Sequence, residues 1–308
     1  MRAPPGALFR IVGRMEVYGL CLGGNVFGWT ADQEASFAVL DAYAEAGGNF
    51  IDTADTYMRP NMGQSERIIG EWMASRGNRD QLVIATKVGS DGGLSAANIA
   101  AHVDGSLERL QTDRIDLYYA HKDDGSVPVE ETVRAFDQAV REGKVVQVAA
   151  SNVPPERLRE SLELQADAGL APYTWLQPHY NLVEREGYER DYAPIVAEHG
   201  LSVAPYYALA SGFLTGKYRN GGSNSPRSEK ASSYLDDRGH RVLDALDEVA
   251  GAHDVKPAAV AIAWLLAKPG VESPIASATS PDQLAQVLAG ASLQLTDDEV
   301  ARLDEASA

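Results

Sequence analysis

The sequence predicts a single domain of the α/β class, a (β/α)8 TIM barrel that spans residues 1–308. Eight short apolar runs rich in strand-forming residues recur along the chain, with segments of helical periodicity between them. Such alternation implies parallel strands joined by right-handed crossovers. Eight units within about 250 to 300 residues favour a closed barrel. A composition with 44% hydrophobic residues is sufficient for the core that this fold needs.

The predicted elements start with a small β-hairpin, FRIVGRMEVY, which has Gly13-Arg14 at its centre and is expected to close the barrel floor. The eight barrel strands follow as VYGLCLG, NFIDTA, LVIATKV, IDLYYAH, VVQVAAS, YTWLQPHY, LSVAPYY and SPIASAT. The competing fold is an open doubly wound sheet, which usually has a G-x-G-x-x-G turn after its first strand. Residues 23–28 are GGNVFG instead, so the barrel is favoured.

Capping residues predict where several helices begin. The signals are Thr30 or Asp32 for the first helix, Ser95, Pro155, and the capping box of Thr296 with Glu299. Another helix is predicted to begin near Gly63, and the final helix to extend from Asp297 to Ala306. The stretch from Arg219 to Ser233 is rich in Gly, Ser and Asn and predicts a mobile loop.

Composition and charge narrow the possible partners. The formal net charge of −17 argues against nucleic acid and anionic membranes, because both favour clustered Lys and Arg. Cys21 is the only cysteine, which excludes an internal disulfide and a thiolate metal cluster and agrees with a reducing cytoplasm. Residues 1–13 lack the apolar core of a secretion signal. The six His have no tight ligand spacing such as H-E-x-x-H, so we expect no metal site.

Three motifs occur in order at the predicted strand ends. Gly47 to Tyr57 match G-x-N-x-x-D-T-A-x-x-Y, Ala85 to Lys87 form an A-T-K strand end, and His121 to Asp124 form an H-x-x-D turn. In these motifs the chain resembles the aldo-keto reductase family over nearly its whole length. The resemblance implies reversible reduction of aldehydes and ketones to alcohols with hydride from NAD(P)H. It also implies a catalytic tetrad formed by Asp52, Tyr57, Lys87 and His121.

The tetrad supplies what carbonyl reduction needs, a proton donor and groups that stabilise the charge growing on oxygen. Tyr57 suits the donor role, since a phenol with a pKa of about 10 keeps its proton at neutral pH and a nearby ammonium favours the phenolate. Lys87 is expected to supply that ammonium, Asp52 to pair with it, and His121 to hydrogen-bond the substrate oxygen. A structural ion pair and a core histidine are the alternative interpretations.

The resemblance also implies a nicotinamide dinucleotide site. Ser151, Asn152 and Gln177 match the residues that bond the nicotinamide carboxamide, and Tyr206 matches the ring that stacks on nicotinamide. The pyrophosphate loop corresponds to Leu209, Ser211, Gly212 and Lys217, and the adenosine-phosphate site to Ser277, Thr279 and Gln283. Taken singly, Ser151 and Asn152 are typical of helix caps, and Tyr206 is typical of a core.

The chain departs from the family pattern at the expected 2′-phosphate site. Many NADPH-preferring relatives have Arg where Thr279 stands and Asn where Val287 stands. Four cations of the preceding loop offer compensation, namely Lys217, Arg219, Arg227 and Lys230. A solvated charge run is the alternative interpretation of these cations. We expect NADPH as the cofactor, with NADH as the alternative.

The first loops are predicted to form the substrate wall. Phe27, Trp29 and Met58 offer apolar surface to a small-molecule carbonyl substrate, and core packing is the alternative for each. No sequence feature identifies the substrate or indicates the oligomeric state.

Other functions are compatible with parts of the pattern. Relatives in the family also serve as redox-sensing regulatory subunits that bind nicotinamide with little turnover. A barrel aldolase would use Lys87 as a Schiff-base nucleophile, which requires a neutral amine, and the expected partner Asp52 disfavours that state. The spacing from Gly212 to Lys217 is one residue too short for a phosphate-binding loop of the G-x-x-x-x-G-K-[ST] type, which argues against an ATPase.

Overall fold

Eight parallel strands form the centre of the computed structural model, which describes residues 9–12, 15–58, 61–219 and 227–308. The strands are β3 (Cys21–Gly23), β4 (Phe50–Asp52), β5 (Val83–Val88), β6 (Ile115–Ala120), β7 (Val145–Ser151), β8 (Tyr173–Gln177), β9 (Ser202–Val203) and β10 (Ile275–Ala276). They lie in the order β10-β3-β4-β5-β6-β7-β8-β9, and every neighbouring pair is parallel.

The two edges of this sheet meet. Val203 of β9 forms a parallel bridge with Val271, and the Ile275 backbone N–H donates to the Pro205 carbonyl at 2.9 Å. The sheet therefore curls round on itself, and the predicted (β/α)8 barrel is confirmed.

Side chains alternate between the barrel interior and the layer of helices. In β6, Leu117 and Tyr119 belong to the interior cluster, whereas Tyr118 and Ala120 pack in the outer core. This alternation follows from the two-residue period of a strand, and burial on both faces explains why the strands are apolar throughout. By the same period, Ala85 of β5 points inward, and so does Lys87 at its carboxyl end.

Helices surround the barrel, and several of them begin where capping residues predict. They are α1 (Gln33–Glu45), α2 (Gln64–Arg76), α3 (Ala96–Leu110), α4 (Val129–Arg141), α5 (Pro155–Ala168), α6 (Ala193–His199), α7 (Ser228–Ser232), α8 (Asp237–His253), α9 (Pro257–Leu266), α10 (Pro281–Leu288) and α11 (Asp297–Ala306). Asp32, rather than Thr30, caps α1 by accepting from the Ala35 N–H at 2.9 Å. The other predicted start signals are confirmed, namely Gly63, Ser95, Pro155 and the Thr296–Glu299 capping box.

A hairpin closes the amino end of the barrel, as predicted. β1 (Phe9–Val12) pairs in antiparallel register with β2 (Met15–Tyr18), and the predicted turn at Gly13-Arg14 lies outside the described residues. Met15 and Val17 belong to the same interior cluster as the first residues of β4 and β5. One expectation needs correction, because the run VYGLCLG is not one strand: Val17 and Tyr18 belong to β2, and only Cys21–Gly23 enter the barrel.

The loop prediction for Arg219 to Ser233 is wrong in its last part. Residues 220–226 lie outside the described ranges, but Ser228–Ser232 form the short helix α7. Ala231 of that helix is fully buried, so packing against the body of the protein orders a stretch whose polar composition suggested a loop.

Within the described ranges, no single helix is long and apolar enough to cross a membrane. Taken together, α8 and α9 have the length and composition of a membrane span, but the two helices meet at a bend of 95°.

Candidate active site

A cavity of about 830 Å³ lies at the carboxyl ends of the barrel strands. Asp52, Tyr57 and His121 of the predicted tetrad line it, and Lys87 is buried directly behind them. The residues predicted to bind a cofactor all line the same cavity: Ser151, Asn152, Gln177, Tyr206, Leu209, Ser211, Gly212, Lys217, Ser277, Thr279 and Gln283. Strand ends distant in sequence thus converge on one site.

Lys87 is a fully buried cation with three oxygen partners. Its Nζ donates to Asp52 Oδ2 at 2.6 Å, to the Thr53 carbonyl at 2.6 Å and to the Tyr57 hydroxyl at 3.2 Å. Burial by itself lowers the pKa of Lys87, but Asp52 and Tyr57 outweigh that effect and raise the pKa. The amine therefore stays an ammonium, which disfavours the Schiff-base chemistry of an aldolase.

Asp52 uses both carboxylate oxygens. One pairs with Lys87, and the other accepts from Gln177 Nε2 at 2.8 Å. An unpaired buried charge is unstable, so these two bonds are what permit a carboxylate at the end of β4. Gln177 is therefore committed through its amide nitrogen to the tetrad, while it also lines the cavity.

Tyr57 lies in the loop between β4 and α2, where its N–H bonds back to the Ala54 carbonyl at 3.3 Å. Burial raises the pKa of Tyr57, and the neighbouring Lys87 ammonium partly offsets the rise. The phenol thus keeps its proton at neutral pH. Its ring lies 6.1 Å from the His121 ring, centroid to centroid, in an edge-to-face arrangement.

His121 is a neutral imidazole beside the phenol. Burial and then the Lys87 charge lower the pKa of His121 to about 3. Its Nδ1 is buried and has no hydrogen-bond partner among the described residues.

Ser151 and Asn152 form a connected polar group at the end of β7. Asn152 has a left-handed backbone with φ of 50°, and its Nδ2 donates to the His121 carbonyl at 2.9 Å and to Ser151 Oγ at 3.0 Å. The Tyr206 hydroxyl donates to Asn152 Oδ1 at 2.9 Å. The cap interpretation is wrong for both residues, since Pro154 is the N-cap residue of α5 and no side chain caps that helix.

The far end of the cavity favours anions. Ser211 and Gly212 have left-handed backbones in the loop after β9, and Ser280 caps the amino end of α10 beside Thr279 and Gln283. Within the described part of the lining, Lys217 and Arg227 are cations, and Asp52 is the one carboxylate, already paired with Lys87. The cavity lining thus includes two cations and lies beside a helix amino terminus, groups that favour anions although the net charge is −17.

The structure agrees less well with the residues predicted to form the substrate wall. Phe27 is a correction: it is fully buried in the hydrophobic core and does not line the cavity, so its side chain cannot contact a substrate in this structure. Trp29 is 47% exposed, with its ring 5.6 Å from the Arg227 guanidinium carbon. Met58 is half-buried beside Tyr57 and is not part of the lining.

Tyr207 and Asn25 are among the lining residues that were not anticipated from the sequence. Tyr207 is 47% exposed and directly follows Tyr206, with a left-handed φ of 53°. Asn25 accepts from Ser277 Oγ at 2.6 Å, which joins the loop after β3 to the end of β10. The adjacent tyrosines at 206 and 207 could have suggested Tyr207 from the sequence. Asn25 comes to line the cavity only when the barrel closes and brings Ser277 next to it. Among the described residues, no three His, Cys, Asp or Glu side chains come together as a metal site.

Comparison with known proteins agrees with this geometry. The sequence model of the Aldo/keto reductase family matches residues 19–308. The chain belongs to the aldo/keto reductase family. It is 31% identical over 312 residues to norsolorinic acid reductase of Aspergillus flavus. The aligned region covers 95% of this chain and 78% of that protein.

Other relatives of this aldo/keto reductase have different names. Aryl-alcohol dehydrogenase GME11368 of Pestalotiopsis microspora is 30% identical over 94% of this chain and 79% of its own length. A probable voltage-gated potassium channel subunit beta of Oryza sativa is 33% identical over 84% of this chain and 83% of its own length. Family membership and the reductase relatives identify the protein as an NAD(P)H-dependent oxidoreductase and support carbonyl reduction in general.

Proposed function

We propose that this protein reduces aldehydes or ketones to alcohols, with hydride from NADPH and a proton from Tyr57. The observation that carries the proposal is the 3.2 Å contact between the Tyr57 hydroxyl and Lys87 Nζ, beside a neutral His121, at the wall of the cavity. The residues predicted to hold a dinucleotide line that same cavity. Proton donor and cofactor site are thus adjacent.

Proton transfer from Tyr57 leaves a phenolate next to a cation. The Lys87 ammonium stabilises that charge, and Asp52 holds the ammonium in place through a 2.6 Å bond. Because the site is buried, little solvent reorganisation accompanies the transfer. Lys87 therefore reduces the cost of forming the phenolate in this buried position.

His121 would orient the carbonyl. A neutral imidazole can donate one hydrogen bond to the substrate oxygen, and its depressed pKa keeps it neutral throughout the physiological range. The nearby Lys87 charge is one cause of that low pKa, so the same cation serves the acid and the orienting residue.

The cavity also fits the proposed cofactor. When bound, the reduced nicotinamide supplies hydride. Tyr206 offers a ring for stacking, while Ser151 and Asn152 offer hydrogen-bonding groups for the carboxamide. The loop of Ser211 and Gly212, with Lys217, Arg227 and the amino end of α10, supports binding of the phosphates, and its cations favour NADPH over NADH.

An assay with the purified protein tests this function. The decrease of the reduced-nicotinamide absorbance band would be followed with aliphatic and aromatic aldehydes and ketones, with NADPH and NADH at equal concentrations. Aromatic carbonyls belong in the panel because one relative is named an aryl-alcohol dehydrogenase. We expect turnover with a preference for NADPH. Absence of turnover on every carbonyl with both cofactors would sink the proposal.

A second candidate is a nicotinamide-binding regulatory subunit with little turnover. The similarity to a protein named as a probable potassium channel subunit beta favours it. Tight binding of NADPH without turnover on any carbonyl in the same assay would select this candidate.

We also propose that the protein works in the cytoplasm on a small-molecule partner. The single cysteine, Cys21, is buried and free, which fits a reducing compartment. Fractionation of the native cells with detection of the protein in the cytoplasmic fraction tests the location.

A further inference from the structure

Tyr206 stands between two cavities. Besides the large cavity, a smaller one of about 190 Å³ lies at the carboxyl ends of β8 and β9. Tyr206 and Asn152 line both cavities, whereas His179 lines only the smaller one. The phenol ring therefore has one side toward the proposed cofactor site and the other toward His179.

His179 is stacked on the Tyr206 ring. The centroids are 5.2 Å apart and the planes differ by 12°, a near-parallel arrangement. Residues 179 and 206 also form a parallel bridge, with the Tyr206 N–H donating to the Pro178 carbonyl at 2.9 Å. At its far end, the Tyr206 hydroxyl donates to Asn152 Oδ1. Backbone, ring face and hydroxyl are all fixed by neighbours.

Two ring contacts hold the imidazole: it stacks on Tyr206, and it meets the Tyr207 ring edge to face at 5.4 Å between centroids. His179 Nε2 is buried and has no hydrogen-bond partner in the described part of the chain. Burial lowers the pKa of His179, and the carboxylate of Glu184 opposes that effect only in part, so the ring is neutral at physiological pH. A neutral planar ring packs face to face against a phenol without a desolvated charge.

We infer that His179 is a positioning residue, which holds the Tyr206 ring in the plane on which the nicotinamide stacks. The inference rests on the proposed function, because it requires a nicotinamide on the cavity side of Tyr206. Without His179, the Tyr206 ring would gain freedom to rotate into the smaller cavity, and binding of the nicotinamide would have to order it again. The resulting loss of binding affinity concerns only the nicotinamide half of the cofactor.

The test compares whole and truncated cofactor. His179→Ala would be prepared with His179→Phe, which retains a planar ring, and with His240→Ala as control, because His240 is exposed on α8 and lines neither cavity. Calorimetry would give the Kd of NADPH and of 2′,5′-ADP, which lacks the nicotinamide. If wild type prefers NADH, the pair becomes NADH and ADP.

We expect His179→Ala to weaken NADPH binding about 3- to 10-fold, the effect of one aromatic contact, and to leave 2′,5′-ADP binding unchanged. His179→Phe should restore NADPH binding to within about twofold of wild type, and His240→Ala should behave as wild type. An unchanged Kd for NADPH in His179→Ala overturns the inference, and so does equal weakening of both ligands, which indicates a merely structural role. A wild-type protein that binds neither reduced cofactor overturns the proposed function together with the inference, so the two failures are distinguishable.

Discussion

The two ends of the barrel contain the same strands but bury opposite kinds of side chain. At the amino end, Met15 and Val17 of the hairpin pack on Phe50 and Val83, so the floor is apolar. At the carboxyl end, the inward positions of the same two strands are Asp52 and Lys87, a buried ion pair. The floor therefore stabilises the fold by removing apolar surface from water, whereas the upper rim holds charges that need partners.

This contrast explains where function resides. An apolar floor tolerates changes of shape as long as volume is kept, and its effect on activity is indirect. The rim depends on a few bonds, because Lys87 requires three acceptors and Asp52 requires two donors. Variants at the two ends should therefore differ in whether they affect chemistry, stability or both.

The largest expected effect is on turnover. Tyr57→Phe removes the acid and should slow carbonyl reduction roughly 10²- to 10⁴-fold while cofactor binding stays normal. Tyr119→Phe is a matched control, because Tyr119 lies inside the barrel with its ring 5.9 Å from Lys87 Nζ but does not line the cavity. Steady-state kinetics on both variants measure the difference, and wild-type turnover by Tyr57→Phe would remove Tyr57 from the acid role.

The next effect is on stability at the rim. Lys87→Met leaves Asp52 buried without its cation and should lower the free energy of unfolding by about 3 to 5 kcal/mol. Adding Asp52→Asn removes the unpaired charge and should recover part of that loss. Urea denaturation of the wild type, the single variant and the double variant checks this. If single and double variants are equally destabilised, the ion pair is not what stabilises the rim.

A floor variant should separate stability from chemistry. Val17→Ala empties space in a fully buried position and should lower the free energy of unfolding by about 2 kcal/mol. The kcat for a good carbonyl substrate should stay at the wild-type value below the unfolding transition. A large fall in kcat for the folded variant would show that the floor shapes the site directly.

The smallest effect per measured step, about 1.4 kcal/mol for each pH unit, is on the pH dependence of stability. His121 has a pKa of about 3 in the folded state and about 6.5 when unfolded, so between these values the unfolded chain binds more protons. The contribution of His121 to stability is thus fully present above pH 6.5 and is lost as the pH falls toward about 3, by about 1.4 kcal/mol per pH unit. Denaturation at several pH values should show a shallower slope for His121→Gln, with exposed His240→Gln as control. Identical slopes for wild type and His121→Gln contradict the burial argument.

Local signals were enough to predict much of the architecture. All eight barrel strands lie within the predicted runs, and the caps at Asp32, Ser95 and Thr296 begin the expected helices. These predictions succeeded because strand period and cap chemistry act within a few residues of the chain. The tetrad was predicted through its motifs, and its members converge because parallel strands end at one face.

Predictions failed where packing between distant segments decided the outcome. Val17 was predicted to lie in the first barrel strand but belongs to the hairpin. Phe27 was predicted to face the substrate but is buried in the core. α7 forms from a Ser-rich stretch because Ala231 is buried against the rest of the protein. Apolar residues next to a site have the same local pattern whether they face substrate or core, so sequence could not separate the two.

By itself, the sequence determined the strand and helix alternation, the motif residues at the strand ends and the acidic net charge, since each depends on neighbouring residues or on composition. Only the tertiary structure decided that Gln177 secures Asp52, that His121 loses its charge through burial near Lys87, and that His179 stacks on Tyr206. The physical reason is that partners, burial and electrostatic fields are set by residues far apart in the chain, which meet only when the barrel closes.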